Sequence, residues 1–143
     1  MPDIVIEMDH RELVDLVNLR RVRDFIDREY AQPLNISAMA RMAFMSSAHF
    51  SRRFSAVFGE SPYSYLLTRR IERAKNLLRQ GESVTDACVA VGYQSLGSFS
   101  SRFNEVVGES PSQYRGRDHG ELASLPSCVA MVATRPRRRS IAL

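Results

Sequence analysis

Apolar residues recur every three or four positions from Asn18 onward, the spacing of one helical face. Leu19, Val22, Ile26 and Tyr30 make the first stripe and predict a helix to about Ala31, stopped by Pro33. Asn35 is placed to cap a short helix, Ile36 to Met42, with Ile36, Met39 and Ala40 apolar. A tight turn at Ala43 to Met45 follows. Ser46 then caps a third helix to about Phe58, with Phe50, Phe54 and Val57 facing inward and Gly59 ending it. Ser61-Pro62 opens the next helix, because proline fits the first helical position. Leu67, Ile71, Ala74 and Leu78 form its stripe and Gly81 ends it. Arg69, Arg70, Arg73, Lys75 and Arg79 are expected mostly around its other sides.

The pattern then starts again. Ser83 to Asp86 resembles a capping box, with Asp in place of Glu, and opens a short helix ending near Val91. Gly92-Tyr93-Gln94 makes the turn. Ser95 caps a helix to about Val107, with Phe99, Phe103 and Val106 inward, and Gly108 ends it. Ser110-Pro111 begins a last short helix through Tyr114. The repeat is literal: SRRFSAVFGESPYSY from Ser51 returns as SSRFNEVVGESPSQY from Ser100. The offset is 48 before each turn and 49 after it, so Gln94 is a one-residue insertion. Insertions fall where the backbone tolerates them, which supports a turn there.

These elements predict an all-α fold of about seven helices, forming two helix-turn-helix subdomains joined by a long central helix. The subdomains are 18–61 and 81–115, the joining helix is 62–80, and together they make one domain, 18–115. Residues 1–17 form an N-terminal extension in which Leu13, Val14 and Val17 fit an amphipathic helix. Residues 116–143 form a basic C-terminal tail. Within it, Cys128 to Thr134 fits a strand or a short buried segment, and RPRRR from Arg135 to Arg139 fits an exposed arm.

A short helix bracing a longer one is the layout that presents a recognition helix to a DNA major groove. Two copies joined by a helix strengthen that reading. A helix over 62–80 is about 28 Å long at 1.5 Å per residue. Successive major-groove faces on one side of B-DNA are roughly 34 Å apart. The competing reading is a helical bundle whose duplication serves packing alone.

Charge sharpens the picture. Residues 1–17 carry a net −4, residues 18–115 a net +5 and residues 116–143 a net +3, within a total of +4. A basic middle and tail suit a polyanionic partner. No apolar run approaches the roughly 20 residues that span a bilayer, and the N-terminus lacks the pattern of a secretory signal. Cys88 and Cys128 are too few for a disulfide framework and badly spaced for zinc. His49 and His119 have no partner at ligand spacing, and no nucleophile cluster, paired acid site or phosphate-cradling glycine loop occurs. The chain is read as a non-enzyme with no cofactor and no metal, in a reducing cytoplasm.

At this point the sequence resembles the AraC/XylS transcriptional regulators from about Val22 to Arg115. The resemblance rests on Leu34-Asn-Ile-Ser-Ala-Met-Ala40, Phe50-Ser-Arg-Arg-Phe54, Gly59-Glu-Ser-Pro62, Val91-Gly92-Tyr93, Arg102-Phe103, Gly108-Glu-Ser-Pro111 and Tyr114-Arg115. It implies a seven-helix unit that binds double-stranded promoter DNA and alters transcription initiation, often by contacting RNA polymerase, with activator as the working designation and repression left open. It also implies a bacterial cytoplasmic, nucleoid-associated protein. The chain looks like the small members without a sensor domain, which bind as monomers because both readers are on one chain.

The family's base-contacting positions correspond to Ala48, Ser51 and Arg52, and the helical wheel turns 48, 52 and 55 away from the phenylalanines. The first candidate contact set is Ser46, Ser47, Ala48, Ser51, Arg52 and Ser55. Arg52 is the leading base reader, since arginine bonds bidentately to guanine; a phosphate contact is its alternative. Arg53 is expected to meet phosphate or an acidic neighbour. The second set is Gln94, Ser95, Leu96, Gly97, Ser100, Ser101 and Asn104. It lacks a central cation, so phosphate and shape contacts are expected to dominate there. Ser46 and Ser95 are expected to act mainly as caps. Phe44 stands where the second turn has Gly92, and would be strained if the backbone needs a positive φ. An adapter of the same fold, binding polymerase or another regulator, is the alternative function.

Overall fold

The fold is given by a computed structural model, which describes residues 8–120. The expected segment at Cys128 to Thr134 and the arginine arm lie outside the described residues. Seven helices are present among the described residues: α1 His10–Glu29, α2 Ile36–Met42, α3 Ser47–Phe58, α4 Pro62–Arg79, α5 Val84–Ala90, α6 Leu96–Val107 and α7 Pro111–Arg115. The all-α expectation holds, and no strand occurs in this span.

Helix α1 starts well before the expected Asn18. The cause is a capping box: the Asp9 carboxylate accepts from the Glu12 N–H at 2.8 Å, and the Glu12 carboxylate accepts from the Asp9 N–H at 3.3 Å. Residues read as an extension are therefore the first turns of a helix. Leu13, Val14 and Val17 remain exposed on it, opposite the side that buries Leu19, Val22 and Ile26.

The backbone divides into two compact units, one holding Leu34–Leu66 and the residues up to Glu29, the other holding Tyr30–Pro33 and the residues from Leu67. Helix α4 runs through the boundary between Leu66 and Leu67. In the first unit α1, α2 and α3 pack together. Their fully buried side chains include Leu19, Val22, Ile26, Phe50 and Phe54. Phe54 meets Phe50, Phe58 and Tyr65 at ring-centroid distances of 5.7, 4.6 and 5.8 Å. The Tyr65 hydroxyl donates to Asp27 at 2.7 Å. Val57, expected inward, is exposed. Phe58 continues the stripe in its place, edge-on to Phe54 and beneath the Arg23 guanidinium at 4.9 Å.

In the second unit α5, α6 and α7 pack together. Ile71, Ala74 and Leu78 of α4 join Ala87, Cys88, Val91, Phe99, Phe103 and Tyr114 in one core. Cys88 is the small core residue its position suggests, and burial raises its thiol pKa. Tyr30 does not continue α1; it packs against this second core.

The cations of α4 depart most from expectation. Arg69, Lys75 and Arg79 are buried, along with Glu72 and Asn76. Several of their polar atoms find partners within this group or at Tyr114. Arg69 bonds to Glu72 at 2.6 Å. Arg79 donates to the Tyr114 hydroxyl at 2.5 Å and to the Asn76 side-chain oxygen. Lys75 sits over the Tyr114 ring at 5.7 Å. Its pKa is lowered, first by burial and next by the like charge of Arg79, with Glu72 opposing.

Candidate nucleic-acid interface

Each repeat builds a helix start from the same parts. In the first, the Asn35 side chain accepts from the Ala38 N–H at 2.8 Å and fixes the start of α2. The turn closes through Phe44 N–H to the Arg41 carbonyl at 3.1 Å and Met45 N–H to the Ala40 carbonyl at 3.0 Å. Phe44 has φ 59, the left-handed region, with its side chain 79% exposed. The strain anticipated at this position is present. The Ser46 hydroxyl accepts from the His49 N–H at 3.2 Å and starts α3.

With Phe50 and Phe54 fully buried, α3 has one outward face. Ala48 and Arg52 are exposed there, Ser51 and Ser55 are half-buried at its edges, and Ser46 and Ser47 are exposed at the helix start. Beside that face, the Asp15 carboxylate of α1 lies 3.7 Å from His49 Nε2 and 4.0 Å from Arg53 Nε. The acidic neighbour expected for Arg53 is Asp15. No spacing in the sequence pointed to it, because an amphipathic pattern around Leu13, Val14 and Val17 does not say which helix Asp15 will face.

In the second repeat the Ser83 hydroxyl accepts from the Asp86 N–H at 3.1 Å, starting α5. The turn holds Gly92 at φ 91, and a Cβ there would lie 2.6 Å from the Ala31 carbonyl oxygen. Arg70 ties the surroundings together. Its Nε donates to the Tyr30 carbonyl at 2.6 Å, and its terminal nitrogens donate to the carbonyls of Gln32 at 2.9 Å and Gly92 at 3.4 Å. Tyr93 leaves the turn inward, edge-on to Phe99 at 5.4 Å. The Ser95 hydroxyl accepts from the Ser98 N–H at 3.2 Å, so the serine is a cap, as Ser46 is.

On α6, Phe99 and Phe103 are fully buried, while Leu96, Gly97, Ser101 and Asn104 are exposed with Gln94 and Ser95, and Ser100 is half-buried. Arg102 points away from that group, its guanidinium 3.4 Å from Glu105. Ala48 and Arg52 of α3, and Gly97, Ser101 and Asn104 of α6, lie opposite the buried phenylalanines of their own helix, while Ser46, Ser47, Gln94, Ser95 and Leu96 lie at or before the helix starts. The first set carries a cation in the middle; the second is small, neutral and partly apolar. Among the described residues no cluster of His, Cys, Asp or Glu could hold a metal ion, and no helix is long and apolar enough to cross a membrane.

Known proteins share the sequence pattern and the fold. A family model described as a helix-turn-helix domain matches residues 39–117. The sequence is 32% identical over 75 residues to the HTH-type transcriptional regulator YbfI of Bacillus subtilis (strain 168), covering 52% of this chain and 27% of that protein. The match spans less than a third of the relative's length. The DNA-binding domain of AdpA, a global transcriptional factor solved in complex with a target DNA, superposes with a TM-score of 0.65 at 28% identity. That match covers 68% of this chain and 89% of the AdpA domain. A transcriptional regulator of the AraC-type DNA-binding class from Chromobacterium violaceum gives a TM-score of 0.65 at 26% identity, covering 70% and 90% of the two chains.

Proposed function

Since the chain belongs to the AraC-type helix-turn-helix family of DNA-binding transcriptional regulators, we propose that α3 and α6 enter adjacent major-groove segments of promoter DNA. The observation that carries the reading is the matched construction of the two helices. Each is capped by a serine, locked from behind by two buried phenylalanines, and turned outward with residues suited to a groove. Helix α4, 18 residues without a break, is about 27 Å long, of the order of one DNA turn. The AdpA domain bound to its target DNA gives further support.

In this reading Arg52 reads a guanine by a bidentate hydrogen bond, with Ala48 and Ser51 beside it. The α6 face, lacking a long cation, contributes apolar contact through Leu96 and close backbone approach at Gly97. The open N–H groups at both helix starts favour phosphate. One chain carries both readers, so a monomer suffices on DNA, and RNA polymerase is the partner through which promoter occupancy changes transcription.

Duplexes selected by the protein from its native genome supply the test, in gel shifts against excess competitor DNA. Arg52→Ala is expected to cost about 1–3 kcal/mol on the selected duplex and to relax preference at one base pair. An equal loss on every sequence would place Arg52 on phosphate instead. The exposed Leu13, Val14 and Val17 on α1 favour a second reading, an adapter that docks a protein there. Capture of polymerase without DNA, together with no sequence-selective shift, would establish the adapter in place of the DNA reader.

A further inference from the structure

We propose that Asp15 is an internal counter-charge that competes with DNA phosphate for Arg53 and His49, and so limits the affinity of the first reader for any duplex. The proposal rests on the reading of α3 as a recognition helix. His49 and Arg53 sit one turn apart on α3, each immediately following an exposed residue of the outward face, Ala48 and Arg52. A groove wide enough for that face brings the phosphate backbone against its flank, where these two side chains stand. Both are directed at the same oxygen of Asp15, at 3.7 and 4.0 Å. Those separations are too long for hydrogen bonds, so Arg53 is held by a charge interaction that a phosphate can displace, with His49 beside it. The carboxylate is the more covered partner, with its side chain 22% exposed against 44% for His49 and 33% for Arg53. Arg53 and His49 are open to a ligand while the acid stays in place. Asp15 is therefore a positioning residue: it holds Arg53 toward α1 and acts on DNA only through the side chains it holds.

The nearby acids supply a control. Asp9 and Glu12 cap the start of α1 with each other's N–H groups, one turn from Asp15. Glu12→Gln therefore measures what loss of a nearby negative charge does by itself.

The test is the affinity of the full chain for the genome-selected duplex and for a random duplex of equal length, across a salt series. Asp15→Asn is expected to tighten both by about two- to fivefold, the upper range for a partly exposed ion pair, with sequence preference unchanged. The plot of log affinity against log salt should steepen by about 0.9 as Arg53 is released to phosphate. Glu12→Gln should leave that slope alone, and Arg53→Gln should abolish most of the gain from Asp15→Asn. An unchanged slope in Asp15→Asn, a full gain in the Arg53→Gln background, or weaker binding to both duplexes would each overturn the proposal. If the wild-type chain prefers no selected duplex, the recognition-helix reading itself fails, and the two failures are distinct.

Discussion

Gly92→Ala adds one methyl group where two independent costs meet. The backbone there has φ 91, which costs an L-residue about 1–2 kcal/mol. Restricting the unfolded chain returns about 0.4–1 kcal/mol. The new Cβ would lie 2.6 Å from the Ala31 carbonyl oxygen and 3.0 Å from the Ala31 carbonyl carbon and Cα. Those are backbone atoms and cannot rotate aside. They are also pinned, because Arg70 holds the carbonyls on either side, those of Tyr30 and Gln32. Relief of such an overlap costs about 1–3 kcal/mol, so the net loss should be about 1–4.6 kcal/mol. At about 4 °C per kcal/mol for a domain of this size, Tm should fall by roughly 4–18 °C in thermal unfolding followed by circular dichroism. Gly108→Ala is the internal control: its φ is 89, but nothing lies within 4 Å of the added carbon. It should lose only the conformational part. Equal losses in the two variants would mean that Ala31 does not press on the second turn.

The equivalent position of the first repeat should respond with the opposite sign. Phe44→Gly removes about 1–2 kcal/mol of left-handed strain and adds about 0.5–1 kcal/mol of backbone entropy cost, while losing a side chain already 79% exposed. Urea unfolding should show unchanged or slightly raised stability, and a clear loss would mean that the ring is covered. For Lys75→Met, unfolding measured against pH is the informative experiment. The folded-state pKa of Lys75 is lowered from 10.5, so the unfolded chain binds more protons between the two values. Wild-type stability relative to the variant should therefore rise as pH climbs through that window toward 10.5. The variant should be at least as stable at neutral pH, and a flat difference across the window would show that the buried ammonium carries no penalty.

Local signals made most of the fold legible. The serine caps at positions 46, 83, 95 and 110, the prolines at 62 and 111, and the paired phenylalanines of the repeats each fix a helix boundary or face through short-range chemistry. The start of α1 was equally local: Asp9 and Glu12 have capping-box spacing, but the acidic run around them hid it. Burial of Arg69, Lys75 and Arg79 was not legible, because periodicity assigns charges to the outside and their partners are set by tertiary packing. Val57 and Phe58 show the same limit in miniature, since both lie within one step of the stripe and ring packing decides between them. The outward residues of α3 and α6 followed from the phenylalanine stripe. Asp15 did not, since its effect on α3 depends on where α1 lies.

Hydroxyl-radical footprinting of the full chain on a genome-selected duplex addresses the central claim most directly. Two protected backbone segments on one side of the duplex, about 10–10.5 base pairs apart, are predicted, with Arg52→Ala weakening the first. A single protected segment, or uniform protection independent of sequence, would contradict the account of two readers on one chain.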